Sequence, residues 1–350
     1  MTRLSIVIPS HAGFEDSRTT LDQAFALSRH PSIEVLVGDN SEDPKKLQHW
    51  SDRSDISFKC SRSPAPDGAG NFRFTSASAS GNLISFLSDD DLLFFLPGFS
   101  TDKLILPEGA IGFRPTFALY RESVGIYSVS SFGLTAGRAI DRVKQYFKYA
   151  QGANSTLFSI FCSNIWKSMT YETLANHPTN GGFMDWAVVL GLISTGPLIP
   201  LPELLYIYNN KNWYTEEEIS RNIPKTFLDA GLAPDCSQIL PAFQALDSFT
   251  LIGRRQSPVS AEEKMEAASF AFEAYFNRLV IYFSNAERPA GLDRERCLYV
   301  QRLLAECVTH TDRIAACLLV IELWAPGLSE KYQKYMSEQL DPAIAITCYE

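Results

Sequence analysis

Three carboxylates in succession, Asp89-Asp90-Asp91, stand between two apolar runs, Leu83-Ile84-Ser85-Phe86-Leu87 and Leu92-Leu93. An acidic triplet in an arbitrary sequence is a solvated loop. Here the first apolar run has the composition of a buried strand, so the triplet falls where that strand must end. Carboxylates crowded into a partly buried place repel one another and raise one another's pKa unless a cation intervenes. A divalent ion with oxygen ligands, Mg²⁺ or Mn²⁺, resolves that conflict and is itself usually completed by substrate phosphates. Asp89, Asp90 and Asp91 are therefore the candidate metal ligands.

Two further stretches fall at strand ends. Pro9-Ser10-His11 follows Leu4-Ser5-Ile6-Val7-Ile8, and Asp39-Asn40-Ser41 follows Ile33-Glu34-Val35-Leu36-Val37. Both runs are buried strands by composition, which puts these loops on the same sheet edge as the aspartates. An acidic residue at such an edge binds a ribose hydroxyl or the N–H of a base. The competing reading of Asp39 to Pro44 is a turn made of good turn formers. Farther along, Gly181-Gly182-Phe183-Met184-Asp185-Trp186 leads into a helix for which Asp185 is a good N-cap. Trp186, Trp213 and Tyr214 could stack on a sugar or base, although aromatic side chains more often belong to a core. His177 reads as a surface turn and Arg254-Arg255 as a solvated loop, with contact to an acceptor or an anion as the functional alternative.

The elements that hold these residues alternate in period. After the strand at 4–8 comes a helix over 16–28, with Asp16 or Ser17 as N-cap, then the strand at 33–37 and a weaker one at 56–60. A turn-rich stretch, Ser63 to Gly70, precedes a small-residue helix over 71–80 that ends at Gly81 as a C′ glycine. Such alternation predicts a mostly parallel sheet covered on both faces, with ligands beyond the carboxyl ends of its strands. Residues 101–213 read as mixed α and β, with helices at 140–149 and 185–194. From Ser260 the pattern turns helical: Ser260-Ala261-Glu262-Glu263 is a capping box, and further helices are expected at 293–309, 311–324 and 328–339. A boundary at 214–225, ending at Asn222-Ile223-Pro224, divides two domains, 1–213 and 214–350.

Composition narrows the class. The 350 residues are 45% hydrophobic and 20% charged, which supports a sizeable core and excludes wholesale disorder. A net charge of −9 argues against a nucleic-acid partner held by bulk electrostatics. Seven scattered cysteines without a C-x-x-C pair suit neither a zinc site nor a disulfide framework, so reduced thiols and a cytoplasmic location are expected. No apolar stretch reaches the roughly 20 residues of a membrane helix, so no transmembrane segment is expected.

Taken in order, the strings Leu4 to His11, Ile33 to Asp43 and Gly81 to Asp91 resemble the inverting glycosyltransferases of family 2, which have the GT-A fold. The resemblance covers residues 4–93, weakens towards 213 and is absent beyond. It implies a GT-A-like nucleotide-binding domain with a mostly parallel central sheet, to which the helical pattern read above adds an all-α C-terminal domain. It further implies a nucleoside-diphosphate sugar as donor and a saccharide or other hydroxyl compound as acceptor. By position, Pro9, Ser10, His11, Asp39 and Asn40 match the loops that hold the nucleotide. Asn71 or Arg73 stands in for an Arg-Asn pair of the family. Asp89, Asp90 and Asp91 match its D-x-D region, which holds a Mn²⁺ or Mg²⁺ bridging the diphosphate; Ser88 stands where the family usually has its first acid. Asp185 matches the catalytic base, with Met184 in place of an acidic neighbour.

Those two departures keep a non-catalytic glycan- or partner-binding protein as the alternative. A nucleotidyltransferase would share the acidic nucleotide site, but no glycine-rich phosphate loop is present. The helices beyond residue 225 are left with three roles: packing on the catalytic domain, holding the acceptor, or forming a homodimer.

Overall fold

In a computed structural model, residues 3–150, 154–180, 184–211, 213–284 and 294–349 are described. Gly181, Gly182 and Phe183 of the motif before Asp185 lie outside them. The chain forms two compact units that interleave along the sequence. The first comprises Met1–Thr135, Lys148–Glu172 and Gly196–Thr215; the second comprises Ala136–Phe147, Thr173–Thr195 and Glu216–Glu350. No single cut near residue 213 separates them, because Asp185 and its helix belong to the second unit.

In chain order the elements are β1 (Leu4–Ser10), α1 (Phe14–Leu27), β2 (Ile33–Asp39), α2 (Pro44–Ser51), β3 (Phe58–Arg62), α3 (Gly68–Ala77), β4 (Leu83–Phe86) and β5 (Leu92–Phe95). There follow β6 (Gly112–Arg121), β7 (Gly125–Ser130), α4 (Ala139–Ala150), β8 (Ile160–Cys162), α5 (Ser163–Lys167), α6 (Asp185–Ile193) and β9 (Leu198–Asn209). The remainder is helical: α7 (Glu216–Asp229), α8 (Leu240–Ile252), α9 (Ala261–Ser284), α10 (Arg294–Glu306), α11 (His310–Trp324), α12 (Leu328–Gln339) and α13 (Pro342–Tyr349).

The fold is α/β. All these strands lie in the first unit and form one sheet, ordered β3-β2-β1-β4-β8-β6-β9-β5, with β7 added to β6. Pairing is parallel in β1–β2, β2–β3, β1–β4 and β6–β9, and antiparallel in β4–β8, β6–β8, β6–β7 and β5–β9. The parallel half is the part written as unbroken β-branched runs, since β1 and β2 are covered on both faces. Its register sets Ser10 opposite Asp39 and Asp39 opposite Arg62, lining up three strand ends.

Several boundaries move for local reasons. The first helix begins at Phe14 with Gly13 as its N-cap, not at Asp16 or Ser17, because its orphan N–H is met from outside: Phe14 N donates to Asp43 Oδ2 at 2.9 Å. Asp43 also caps α2 through Lys45 N and Lys46 N. The third strand is Phe58–Arg62; Ile56 is exposed instead. The small-residue helix starts at Gly68, capped by Asp67, and ends at Ala77, so Gly81 terminates no helix. A Cβ on Gly81 would lie 2.7 Å from Ser5 Oγ, and the glycine serves the close passage beside β1.

Among its described residues the second unit is helical apart from an isolated bridge between Arg254 and Leu340. Its centre is α8, buried continuously from Ala242 to Ile252. A helix buried on every side, polar residues such as Asp247 included, shows little apolar period, which hides it in the sequence. The expected boundary at Asn222-Ile223-Pro224 is instead the middle of α7. Ser260 does supply half of its capping box, accepting from Glu263 N at 3.3 Å. Arg254 is buried and donates to Gly191 O at 2.8 Å, while Arg142 donates to Ile193 O and Ser194 O at 2.7 Å each. Both arginines thus serve the orphan carbonyls at the end of α6, and Arg254 is no solvated loop residue. His177 is buried too, not a surface turn: Thr179 N donates to Nδ1, so Nε2 carries the proton towards Asp247 Oδ1 at 2.9 Å.

The six cysteines with described side chains are all free. Among the described residues no helix is long and apolar enough to cross a membrane.

Candidate active site at the carboxyl edge of the parallel strands

The ends of β1 and β2 are tied together by a lysine that the sequence did not single out. Lys46 is fully buried, and its ammonium donates to Ser10 Oγ and Ala12 O at 2.6 Å each and pairs with Asp39 Oδ1 at 3.1 Å. Its three N–H bonds are therefore used, and the loop Ser10-His11-Ala12 is held against β2. Lys46 and its neighbour Lys45 look alike in sequence. Only the 3.6-residue turn of α2, started by Asp43, decides which one faces inward.

Asp39 Oδ1 also accepts from Ser41 N at 3.1 Å and Ser41 Oγ at 2.7 Å. Its other oxygen, Oδ2, is buried and has no hydrogen-bond partner among the described residues. The half-exposed Arg62 guanidinium stands 4.0 Å from it. A buried carboxylate oxygen left unpaired is costly unless something fills the place. Asn40 sits beside it, half-buried, with its backbone N–H on Ser10 O at 3.0 Å. Asn71 is buried and donates to Gly38 O at 2.8 Å and Asn40 Oδ1 at 3.1 Å, so it fixes this loop from α3. Arg73, two residues along the same helix, is half-buried, and its carbonyl accepts from Tyr171 OH.

The three aspartates have three different environments. Asp89 Oδ2 accepts from Ser10 Oγ at 2.7 Å, His11 N at 2.9 Å and Ala12 N at 2.8 Å, so this carboxylate shapes the loop after β1, from which His11 projects exposed. Asp91 is fully buried. It accepts from Tyr206 OH at 2.6 Å and Asn209 N at 2.8 Å, tying β9 to the start of β5. Burial and the charge of Asp90 push its carboxyl up to about 7 against the pull of those bonds. Ser88 N, where the family pattern has an acid, donates to the same Tyr206 hydroxyl at 3.3 Å.

Asp90 is the one of the three that lines the cavity beside the start of α1. Its Oδ2 lies 2.9 Å from Lys211 Nζ, with 26% and 49% of the two side chains exposed. Burial works against the charge on Lys211, but the bond to Asp90 and the charges of Asp90, Asp89 and Asp16 outweigh it and raise its pKa. Both residues line a cavity of about 890 Å³ between the start of α1 and the ends of β6 and β9, with Asp16, Thr20, Tyr120 and Glu122 also on its wall. Tyr214, beyond Lys211, is partly exposed and carries the Arg121 guanidinium 4.7 Å above its ring.

These environments decide how a divalent ion would fit. Among the described residues no three of His, Cys, Asp and Glu gather where they could hold a metal. A centre built from all three aspartates is therefore not what the fold makes: Asp91 is sealed off, with both oxygens committed to protein donors, and one oxygen of Asp89 is saturated. An ion that keeps its waters and is completed by phosphates needs only one or two carboxylates. Asp90, whose carboxylate borders the cavity, is the residue that would meet that lesser demand.

Asp185 lies in the second unit. It is the first residue of α6 and is exposed, while the buried Met184 takes the N-cap position without a side-chain bond. Its carboxylate is therefore not the cap that its residue type suggests. Trp186 packs edge-on to Tyr146, their ring centroids 5.8 Å apart, and belongs to that unit's packing.

No protein-family model matches the chain, and no curated protein matches its sequence. Among solved structures, S. aureus TarS 1–349 in complex with UDP-GlcNAc is similar over 96% of this chain and 89% of that chain, with a TM-score of 0.51 at 11% identity. S. aureus TarS 1–349 alone, at 12% identity and a TM-score of 0.48, and its complex with UDP, at 13% and 0.46, cover the same shares. The first of these establishes likeness of fold, from the sheet through to the helical region.

Proposed function

We propose that this chain is a glycosyltransferase that moves a sugar from a nucleoside-diphosphate donor to an acceptor hydroxyl, with inversion. The observation that carries the reading is the buried Oδ2 of Asp39 at the carboxyl edge of the parallel strands, which has no hydrogen bond among the described residues. A base N–H that displaced the half-exposed Arg62 would give this oxygen the partner it lacks. The donor's diphosphate would then extend towards Asp89 and Asp90 along an edge whose loop, Ser10 to Ala12, is already fixed by Lys46 and Asp89. The TarS complex with UDP-GlcNAc makes a uridine-based donor the first to test.

In this reading Asp185 is the general base. It takes the proton of the acceptor hydroxyl as that oxygen attacks the anomeric carbon opposite the departing diphosphate. Asp185 opens α6, and the opposite end of that helix is anchored by Arg142 and Arg254. Asp90, assisted by Asp89, would hold a Mn²⁺ or Mg²⁺ whose charge neutralises the leaving diphosphate. Free thiols throughout the described side chains agree with a cytoplasmic setting.

The experiment is a panel of UDP-, GDP- and dTDP-sugars with Mn²⁺, read as nucleoside diphosphate released and as donor bound. Release with one nucleotide class supports the reading. Donor binding without release for any acceptor favours the non-catalytic alternative, which the buried Met184 at a motif acid position suggests. Neither release nor binding overturns both.

A further inference from the structure

The ion pair between Lys211 and Asp90 is not explained by packing. Both side chains are partly exposed, and an exposed pair contributes little to stability. Its place does say something. Lys211 follows the two best-anchored residues of the β9 end. Asn209 N donates to Asp91 Oδ1 at 2.8 Å, and Asn210 N donates to Tyr120 O at 2.8 Å. The backbone next to Lys211 is thus fixed beside the acidic strand end, while its four-carbon stem leaves the ammonium free to swing. The cavity it borders carries carboxylates from Glu15, Asp16, Asp90 and Glu122 against one further cation, Arg121, so its field still favours a cation.

Resting on the donor-site reading above, we propose that Lys211 is the resident counter-cation of Asp90. It competes with a divalent ion for that carboxylate and, once displaced, binds the donor's diphosphate. An ammonium and a divalent ion on the same carboxylate repel one another, so each weakens the other's hold on Asp90. An entering Mn²⁺ therefore expels the ammonium, which is a point charge with three donors and suits phosphate oxygens. The nucleotide draws Lys211 off Asp90 and so favours the ion, and the ion frees Lys211 and so favours the nucleotide. By linkage the two binding events strengthen each other equally.

The test is a Mn²⁺ titration of the full chain by electron paramagnetic resonance, with and without UDP, on wild type, Lys211→Gln and Asp90→Asn, with UDP affinity measured calorimetrically on the same samples. Without nucleotide, Lys211→Gln binds Mn²⁺ about two- to fivefold more tightly than wild type, the range expected for removing a partly exposed ion pair. With UDP its advantage disappears, and its UDP affinity falls below that of wild type. Equal Mn²⁺ affinity in wild type and Lys211→Gln without UDP overturns the proposal while leaving the donor site standing. Unchanged Mn²⁺ affinity in Asp90→Asn overturns it by removing Asp90 as the contested ligand. If wild type binds UDP but no Mn²⁺, this proposal and the metal assignment fail together, whereas failure to bind UDP at all refutes the donor-site reading on which it rests. Unfolding midpoints of the three proteins within a degree or two of one another exclude misfolding as the cause of any difference.

Discussion

At the scale of single residues, the buried ion pair of Lys46 with Asp39 holds the loop geometry together. Replacing one partner strands the other charge in a dry place. Lys46→Met is therefore expected to cost about 3–5 kcal/mol in urea unfolding, far more than any of the exposed pairs. A loss below about 1 kcal/mol would mean that the pair is solvated in solution.

Asp91 makes a pH prediction. Its folded pKa, about 7, lies above the 3.8 of an unhindered aspartate, so the folded state holds the proton more tightly than the unfolded state. Stability from this group is complete below the unfolded value and is lost as pH rises through the folded one. The contribution of Asp91 to the unfolding free energy should fall between about pH 4 and pH 7, so the slope in that window should be less negative in Asp91→Asn than in wild type. Asparagine keeps the shape, accepts from Asn209 N and donates to Tyr206 OH. Urea midpoints at several pH values check this; an undiminished slope in Asp91→Asn contradicts it.

At the scale of elements, the parallel strands were legible because covered β-branched runs have few other fates. The loops at the ends of β1 and β2 came with them. Less legible was which acid does what. Asp89, Asp90 and Asp91 are identical in type, and a turn of the chain sends one to the loop after β1, one to the cavity and one into the core. Lys46 and Lys211 were missed for the same reason, since a lone lysine carries no signal of its partner. Helix α3 shows how closely the layers fit. A Cβ on Gly38 would lie 2.0 Å from Thr75 Oγ1 and 2.6 Å from Asn71 Oδ1. Gly38→Ala is expected to push α3 from β2, to cost about 1–3 kcal/mol, and to weaken nucleotide binding by disturbing Asn71 and Asn40. Unchanged stability and nucleotide affinity would show that α3 shifts freely.

At the scale of the whole molecule, the residues proposed for donor binding and for proton transfer fall in different compact units. The sequence divided the chain once, near residue 213, because contacts between distant segments leave no mark on composition. In the structure, residues 136–147 and 173–195 join the helical unit, and Asp185 goes with them. Binding and turnover should therefore separate by mutation. Asp90→Asn should weaken metal-dependent donor binding, whereas Asp185→Asn should bind donor like wild type.

The most direct measurement is the rate of nucleoside diphosphate release from the best nucleotide-sugar of the panel, compared between wild type and Asp185→Asn at saturating donor. Loss of a general base predicts a fall of about 10²–10⁴-fold in kcat with donor affinity unchanged. Full activity in Asp185→Asn would contradict the assignment of the base, and the absence of release from any nucleotide-sugar by the wild-type protein would contradict the proposal that it is a glycosyltransferase.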